Sequence, residues 1–200
     1  MTPTILDLLR ACGTGHDVRA GGVVFRQASP ARHVHLVERG AVRLVRHGPA
    51  GEPVVLHEAR AGELFAEASI DARVYHCDAV VVEPGHLLRI PGERVRALIR
   101  DDADFARDWS SLLARQLRAA RARIERLSLR SAADRLRHLL VSDGTGPHCE
   151  LVVEGTLKDL AHRLGLTHES LYRTLAALER DGTIERGDGR IRFRRRTTTG

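Results

Sequence analysis

Glu169 and Arg173 stand four residues apart, a spacing that puts two side chains on one face of a helix. A guanidinium fork there can donate to O6 and N7 of guanine, and a carboxylate can accept from N4 of cytosine. His168, Tyr172 and the hydroxyls of Thr167, Ser170 and Thr174 surround the pair, a set suited to base edges and phosphate oxygens. Lys158, the only lysine among 32 Lys and Arg residues, adds a cation for the same backbone. The plain alternative for Glu169 and Arg173 is a helix-surface ion pair worth roughly a few tenths of a kcal/mol.

These residues need two short helices to hold them. Leu157, Leu160, Ala161 and Leu164 recur at helical spacing, and Leu171, Leu175 and Leu178 do so again further on. Between them, Gly165 can take the left-handed conformation that ends a helix, and Thr167 can cap the next. That is a helix-turn-helix, whose second helix presents its N-terminal turn to a groove; a helical hairpin with a polar outer face is the alternative. Gly182–Phe193 follows as a hairpin turning at Gly187-Asp188-Gly189, which after a reading helix is a wing. The tail, Arg194 to Gly200, reads as unstructured, adding at most non-specific phosphate attraction.

A reader of this size sees few bases, so its duplication matters. A helix from about Asp104 to Leu127, with Asp101, Asp102 and Asp104 favouring its start, carries Leu113, Leu117, Ala120, Ile124 and Leu127 at coiled-coil spacing. Trp109 continues the stripe one turn earlier, while Arg115, Arg118, Arg121, Arg123 and Arg126 occupy the other faces. A narrow seam flanked by charge favours a second copy of the same helix as partner; packing on the chain's own β region is the alternative. Ser131 opens another helix, Ala133 to Val141.

Upstream, Gly21–Pro91 has the grammar of short strands: Val23–Phe25, Val34–Val37, Ala41–Val45, Val54–Leu56, Ala79–Val82 and His86–Ile90. Turns are expected at Arg39-Gly40 and across Gly48–Gly51. A short amphipathic helix precedes this region, and another, Val95–Ile99, follows Pro91-Gly92. The expected class is therefore α+β: an N-terminal antiparallel β roll (jelly-roll-like) over 1–103, a long dimerisation helix over 104–130, and a C-terminal winged helix-turn-helix over 131–200.

Composition sets the remaining bounds. A net charge of +6 carried almost wholly by arginine suits a nucleic-acid partner, although a GC-rich coding sequence gives the same bias. No apolar run reaches the roughly 20 residues that cross a bilayer, and the N-terminus lacks the pattern of a secretion signal. Three scattered cysteines, Cys12, Cys77 and Cys149, argue against a disulfide framework and fit a reducing cytoplasm.

In this order, roll, long helix, helix-turn-helix and wing resemble the Crp/Fnr superfamily of bacterial transcription regulators. The resemblance covers nearly the whole chain. It is carried by Arg32-His-Val-His-Leu-Val-Glu-Arg-Gly-Ala-Val-Arg-Leu44, Ala61-Gly-Glu-Leu-Phe-Ala-Glu67, Leu157-Lys-Asp-Leu-Ala161 and Leu166-Thr-His-Glu-Ser-Leu-Tyr-Arg-Thr-Leu175. It implies a homodimer on double-stranded DNA with a two-fold operator, with RNA polymerase as a further partner and no membrane. The family's base-reading Glu and Arg fall on Glu169 and Arg173, and His168 falls where a further base or phosphate contact is common. Tyr172 departs from the small residue usual before that Arg, so the operator is expected to differ from the best-known ones.

The resemblance also raises the question of an effector. In cyclic-nucleotide members, Gly-Glu-Leu opens a phosphate cassette that ends in Arg followed by Ser or Thr. Gly62, Glu63 and Leu64 match the opening and Arg73 could supply the charge, but Val74 offers no hydroxyl, so the cassette is interrupted and a cyclic nucleotide is one candidate effector. An iron–sulfur cluster would need several N-terminal cysteines where only Cys12 stands. Haem is disfavoured because His76 and Cys77, adjacent on a strand, point to opposite faces. His33 and His35, with Glu38, resemble the His-x-His and Glu of a cupin, which would make the roll a metal-dependent enzyme. Glu38 follows too closely, no second histidine segment completes the set, and the chain contains no Asn, so two edge-strand histidines near a turn are expected instead. With no nucleophile elbow, phosphate loop or paired carboxylates, no catalytic residue and no metal site is expected.

Overall fold

The computed structural model describes residues 4–49, 51–153 and 155–194. The chain divides into two compact units, Met1–Leu113 and Ala114–Gly200, so the division falls inside the long helix.

The first unit begins with α1 (Ile5–Cys12), fixed at its start by a reciprocal cap between Thr4 and Asp7. Strands β1 (Thr14–Val18), β2 (Val23–Phe25), β3 (His33–His47), β4 (Pro53–Arg60), β5 (Leu64–Phe65) and β6 (Asp78–Pro91) follow. All pair antiparallel in the order β1-β6-β3-β4, with β2 on β6 and β5 on β3. The roll is built on β3 and β6, each continuous where the sequence suggests two short strands. Arg39-Gly40 is not a turn. Gly40 has φ +87°, and β3 shifts register against β6 there without ending. A Cβ on Gly40 would lie 2.6 Å from the Glu83 carbonyl oxygen, and one on Gly85 only 1.9 Å from that of Arg39. The two glycines let the strands bend past each other with no side chain between them. Across Gly48–Gly51 the expected turn forms, with Gly51 N–H donating to the Gly48 carbonyl; Ala50 lies outside the described residues.

Over Val34–Val37 both faces of β3 are covered, so four consecutive residues are buried there, His35 among them. Val37 and Val42 enter a core with Phe25, Phe65, Tyr75 and Leu87. Val34 and Leu36 enter another with Leu9, Ile90, Val95 from α2 (Gly92–Asp101), and Phe105 and Trp109 from the start of α3 (Ala103–Ser128).

The second unit holds the rest of α3, then α4 (Ala132–Asp143), β7 (Leu151–Val152), α5 (Leu157–Leu164), α6 (His168–Arg180), β8 (Ile184–Gly187) and β9 (Arg190–Phe193). Leucines of α4, α5 and α6 form one core with Leu151, Ile184 and Ile191. The hairpin turns at Asp188 and Gly189, both at positive φ, as the tightest strand connections require. β7 adds a third strand, pairing Leu151 with Ile191. The residues after Arg194, including most of the basic tail, lie outside the described residues.

Candidate DNA-reading surface

Local chemistry sets the reading helix in place. Thr156 and Asp159 cap α5 reciprocally, and Gly165 ends it at φ +62° and ψ +40°. Thr167 then opens α6, its Oγ accepting the Ser170 N–H at 3.2 Å. With Leu171, Leu175 and Leu178 buried, the helix turns His168, Glu169, Tyr172 and Arg173 outward. Arg173 Nη1 lies 3.9 Å from Glu169 Oε1 with both side chains about three-quarters exposed or more, an ion pair loose enough to be exchanged for other partners. On the same face the rings of His168 and Tyr172 meet edge to face, centroids 4.6 Å apart. Lys158 is exposed in the first turn of α5. Thr174 is differently placed: it is half-buried, and its hydroxyl donates to the Ser170 carbonyl at 2.8 Å.

Several cations that the sequence does not single out lie in the same unit. Arg137 of α4 lines a shallow groove with Ser170, Arg173, Thr174 and Asp181. In the wing, Arg186 donates to Glu179 of α6 at 2.5 Å, and Arg190 to Glu150 at 2.5 Å. For Arg186 and Arg190 the signal lay in the arginines bracketing the hairpin turn.

Along α3, Leu113, Leu117, Ala120, Ile124 and Leu127 are all exposed, with Ile124 at 66%. Trp109 does not belong with them. It is 4% exposed and stacked on Phe105 in the roll's core, where the large apolar ring packs with Leu9, Val34, Leu36 and Ile90. Arg126 departs from the expected charged outer face in the same sense: it is buried.

In the roll, Gly62, Glu63 and Leu64 form the turn into β5. The Glu63 carboxylate accepts the Arg60 N–H at 3.0 Å, and the Gly62 N–H donates to the Val37 carbonyl at 2.8 Å. Arg73 is exposed beyond the short 3-10 turn Glu67–Ser69. On the roll's inner side, Tyr75 stacks on Phe25 with centroids 3.7 Å apart, and His35 on Phe65 at 4.9 Å. His35 is not on an edge: β3 is flanked on both sides, and the imidazole is buried with Nδ1 lacking a partner among the described residues. Burial, reinforced by the nearby His33, pushes its pKa down to about 3. Glu38 accepts from Arg10 at 3.2 Å, and among the described residues no group of three or more His, Cys, Asp or Glu could hold a metal ion. Cys77 is buried, its thiol pushed up by desolvation, whereas His76 is exposed. None of the described helices is long and apolar enough to cross a membrane.

Comparison with known proteins agrees with this geometry. Residues 16–102 match the cyclic nucleotide-binding domain family, and residues 133–198 the Crp-like helix-turn-helix domain family. Over 178 residues the chain is 33% identical to the cyclic AMP receptor protein of Thermus thermophilus, covering 87% of this chain and 81% of that protein. The chain belongs to the Crp/Fnr family.

Solved structures carry the same architecture. The catabolite activator protein of Thermus thermophilus is 31% identical, with a TM-score of 0.55 over 97% of this chain and 91% of that one. FixK2 from Bradyrhizobium japonicum, 21% identical, shares the fold with a TM-score of 0.73 over 92% and 93%. The chain is thus a DNA-binding transcription regulator of Crp/Fnr type, with a domain of the cyclic nucleotide-binding class at its N-terminus. Against that class, its roll supplies a carboxylate at Glu63 and a guanidinium at Arg73. No hydroxyl follows Arg73, and Phe25, Phe65 and Tyr75 fill the inner side.

Proposed function

We propose that this Crp/Fnr regulator binds a two-fold symmetric operator as a homodimer. α3 pairs the subunits through Leu113, Leu117, Ala120, Ile124 and Leu127, and α6 enters the major groove. The observation that carries this reading is the exposed Glu169–Arg173 face on a helix capped by Thr167. Arg173 reads a guanine, Glu169 the neighbouring cytosine, and His168 and Tyr172 contact adjacent bases. Lys158, Thr167 and Ser170 meet phosphates, while Thr174 orders the helix through its own backbone bond. RNA polymerase is the partner at the promoter, and the chain works without catalysis in the cytoplasm.

The roll is the proposed entry point for a signal. Gly62, Glu63, Leu64 and Arg73 are the residues through which an anionic effector would act. Cyclic AMP is the first compound to test, because the Thermus relative is named a cyclic AMP receptor protein. The test of the main reading is selection of bound sites from random DNA by the purified chain, repeated with Arg173→Ala. A palindromic site should emerge, and the variant should lose about 1–3 kcal/mol on it while relaxing one base position per half-site. An equal loss on every sequence would make Arg173 a phosphate contact instead.

A further inference from the structure

Arg126 is the anomaly of the second unit. It lies near the end of α3, its side chain is 5% exposed, and Nε has no partner among the described residues. Nη2 donates to Ser142 Oγ and to Asp143 Oδ1, each at 3.2 Å, at the end of α4. Arg163 of α5 donates to the other oxygen of the same carboxylate at 3.0 Å. One carboxylate thus ties three helices together: the long helix, the helix that follows it, and the first helix of the helix-turn-helix.

Two further contacts span the same joint. Glu125 of α3 lies 3.3 Å from His138 Nε2 of α4. Arg135 of α4 donates to the Leu129 carbonyl just beyond α3 and to the Leu164 and Gly165 carbonyls at the turn before α6. The connection between α3 and α4, Leu129 to Ser131, is therefore bridged from both sides.

Stability alone does not call for this arrangement. Burying a guanidinium carries a desolvation penalty that pairing must return, and an apolar side chain of similar size would serve a core as well or better. What a hydrogen-bonded charge supplies is direction, because its geometry has one good solution where an apolar contact has many. A joint that must hold an angle needs that.

We propose that Arg126, through Asp143 and Arg163, is a positioning residue that fixes the reading helix relative to the α3 seam and so sets the half-site spacing the dimer accepts. The inference rests on the dimeric reading above. Base choice then belongs to α6 and spacing to the Arg126 bridge, two properties carried by different residues of one compact unit.

The test uses the full chain and a set of operators with constant half-sites whose centres are moved one base pair at a time around one helical turn. The wild type should favour a single spacing by about tenfold or more over its neighbours. Arg126→Met replaces the charge with an apolar chain that fits a core, and Asp143→Asn removes the shared charge; thermal melts show which variants are folded, and either suffices. Each folded variant should bind neighbouring spacings within about threefold of one another, with base preference inside each half-site unchanged. Wild-type spacing selectivity in a folded variant overturns the inference, as does a wild type that prefers half-site bases but no spacing. A wild type without base preference would instead defeat the DNA reading itself.

Discussion

Replacing Gly165 by alanine tests whether the turn before the reading helix depends on backbone conformation or on space. Gly165 sits at φ +62°, and a Cβ there would lie 2.7 Å from Leu127 Cδ2 and 3.3 Å from Arg135 Nη1. The left-handed conformation costs alanine about 1–2 kcal/mol. The contact with Leu127 involves the far end of the side chain of a residue that is 37% exposed and can rotate away, so it adds about 0.5 kcal/mol, the low end of a rotamer adjustment. The sum is about 1.5–2.5 kcal/mol, which lowers the unfolding temperature of the second unit by roughly 6–20 °C. Calorimetry on Gly165→Ala and Gly165→Asn separates the two contributions. Both variants add a Cβ, but asparagine tolerates the left-handed region, so it should lose less than half as much. Equal losses for the two would show that space, not conformation, sets the requirement.

Two more predictions concern the roll and the seam. His35 is neutral in the fold down to about pH 3, whereas the unfolded chain protonates it near its ordinary value of 6.5. Its contribution is therefore complete above pH 6.5 and lost as pH falls toward 3, at up to about 1.4 kcal/mol per pH unit. Urea unfolding between pH 7 and 5, above most carboxylate titration, should show that slope in the wild type and a reduced one in His35→Phe; equal slopes would refute it. Ile124→Glu places a charge in the exposed α3 stripe. It should turn a sedimenting dimer into a monomer at micromolar concentration without lowering the melting temperature of the roll.

What could be read from the sequence was what neighbouring residues decide. Gly165 and Thr167 lie next to the helix ends they fix, so the turn of the helix-turn-helix was legible, whereas the Thr156–Asp159 cap that starts α5 was not singled out although it is equally local. The positive φ values of Asp188 and Gly189 follow from their types, so the hairpin was legible too. Non-local causes were not. Gly40 looks like a turn until Gly85, far along the chain, is seen to leave room for the strands to bend past one another. Trp109 continues the seam by spacing alone, and only the roll's core draws it inward. His35 reads as an edge residue because its flanking strands come from later in the chain. Arg126 is one arginine among many on α3, and the carboxylate that buries it arrives 17 positions later, on the next helix.

The division at Leu113 bears on how such regulators are recombined. The interchangeable pieces are not a sensor and a reader joined by a neutral rod. Leu117, Ala120, Ile124 and Leu127 lie on the reader's side of the division, together with the Arg126 bridge. If α3 pairs the subunits as proposed, a gene fragment starting at Ala114 would encode a reader that carries most of that surface, and losing the roll would remove the proposed entry point for a signal while leaving the means of binding in place.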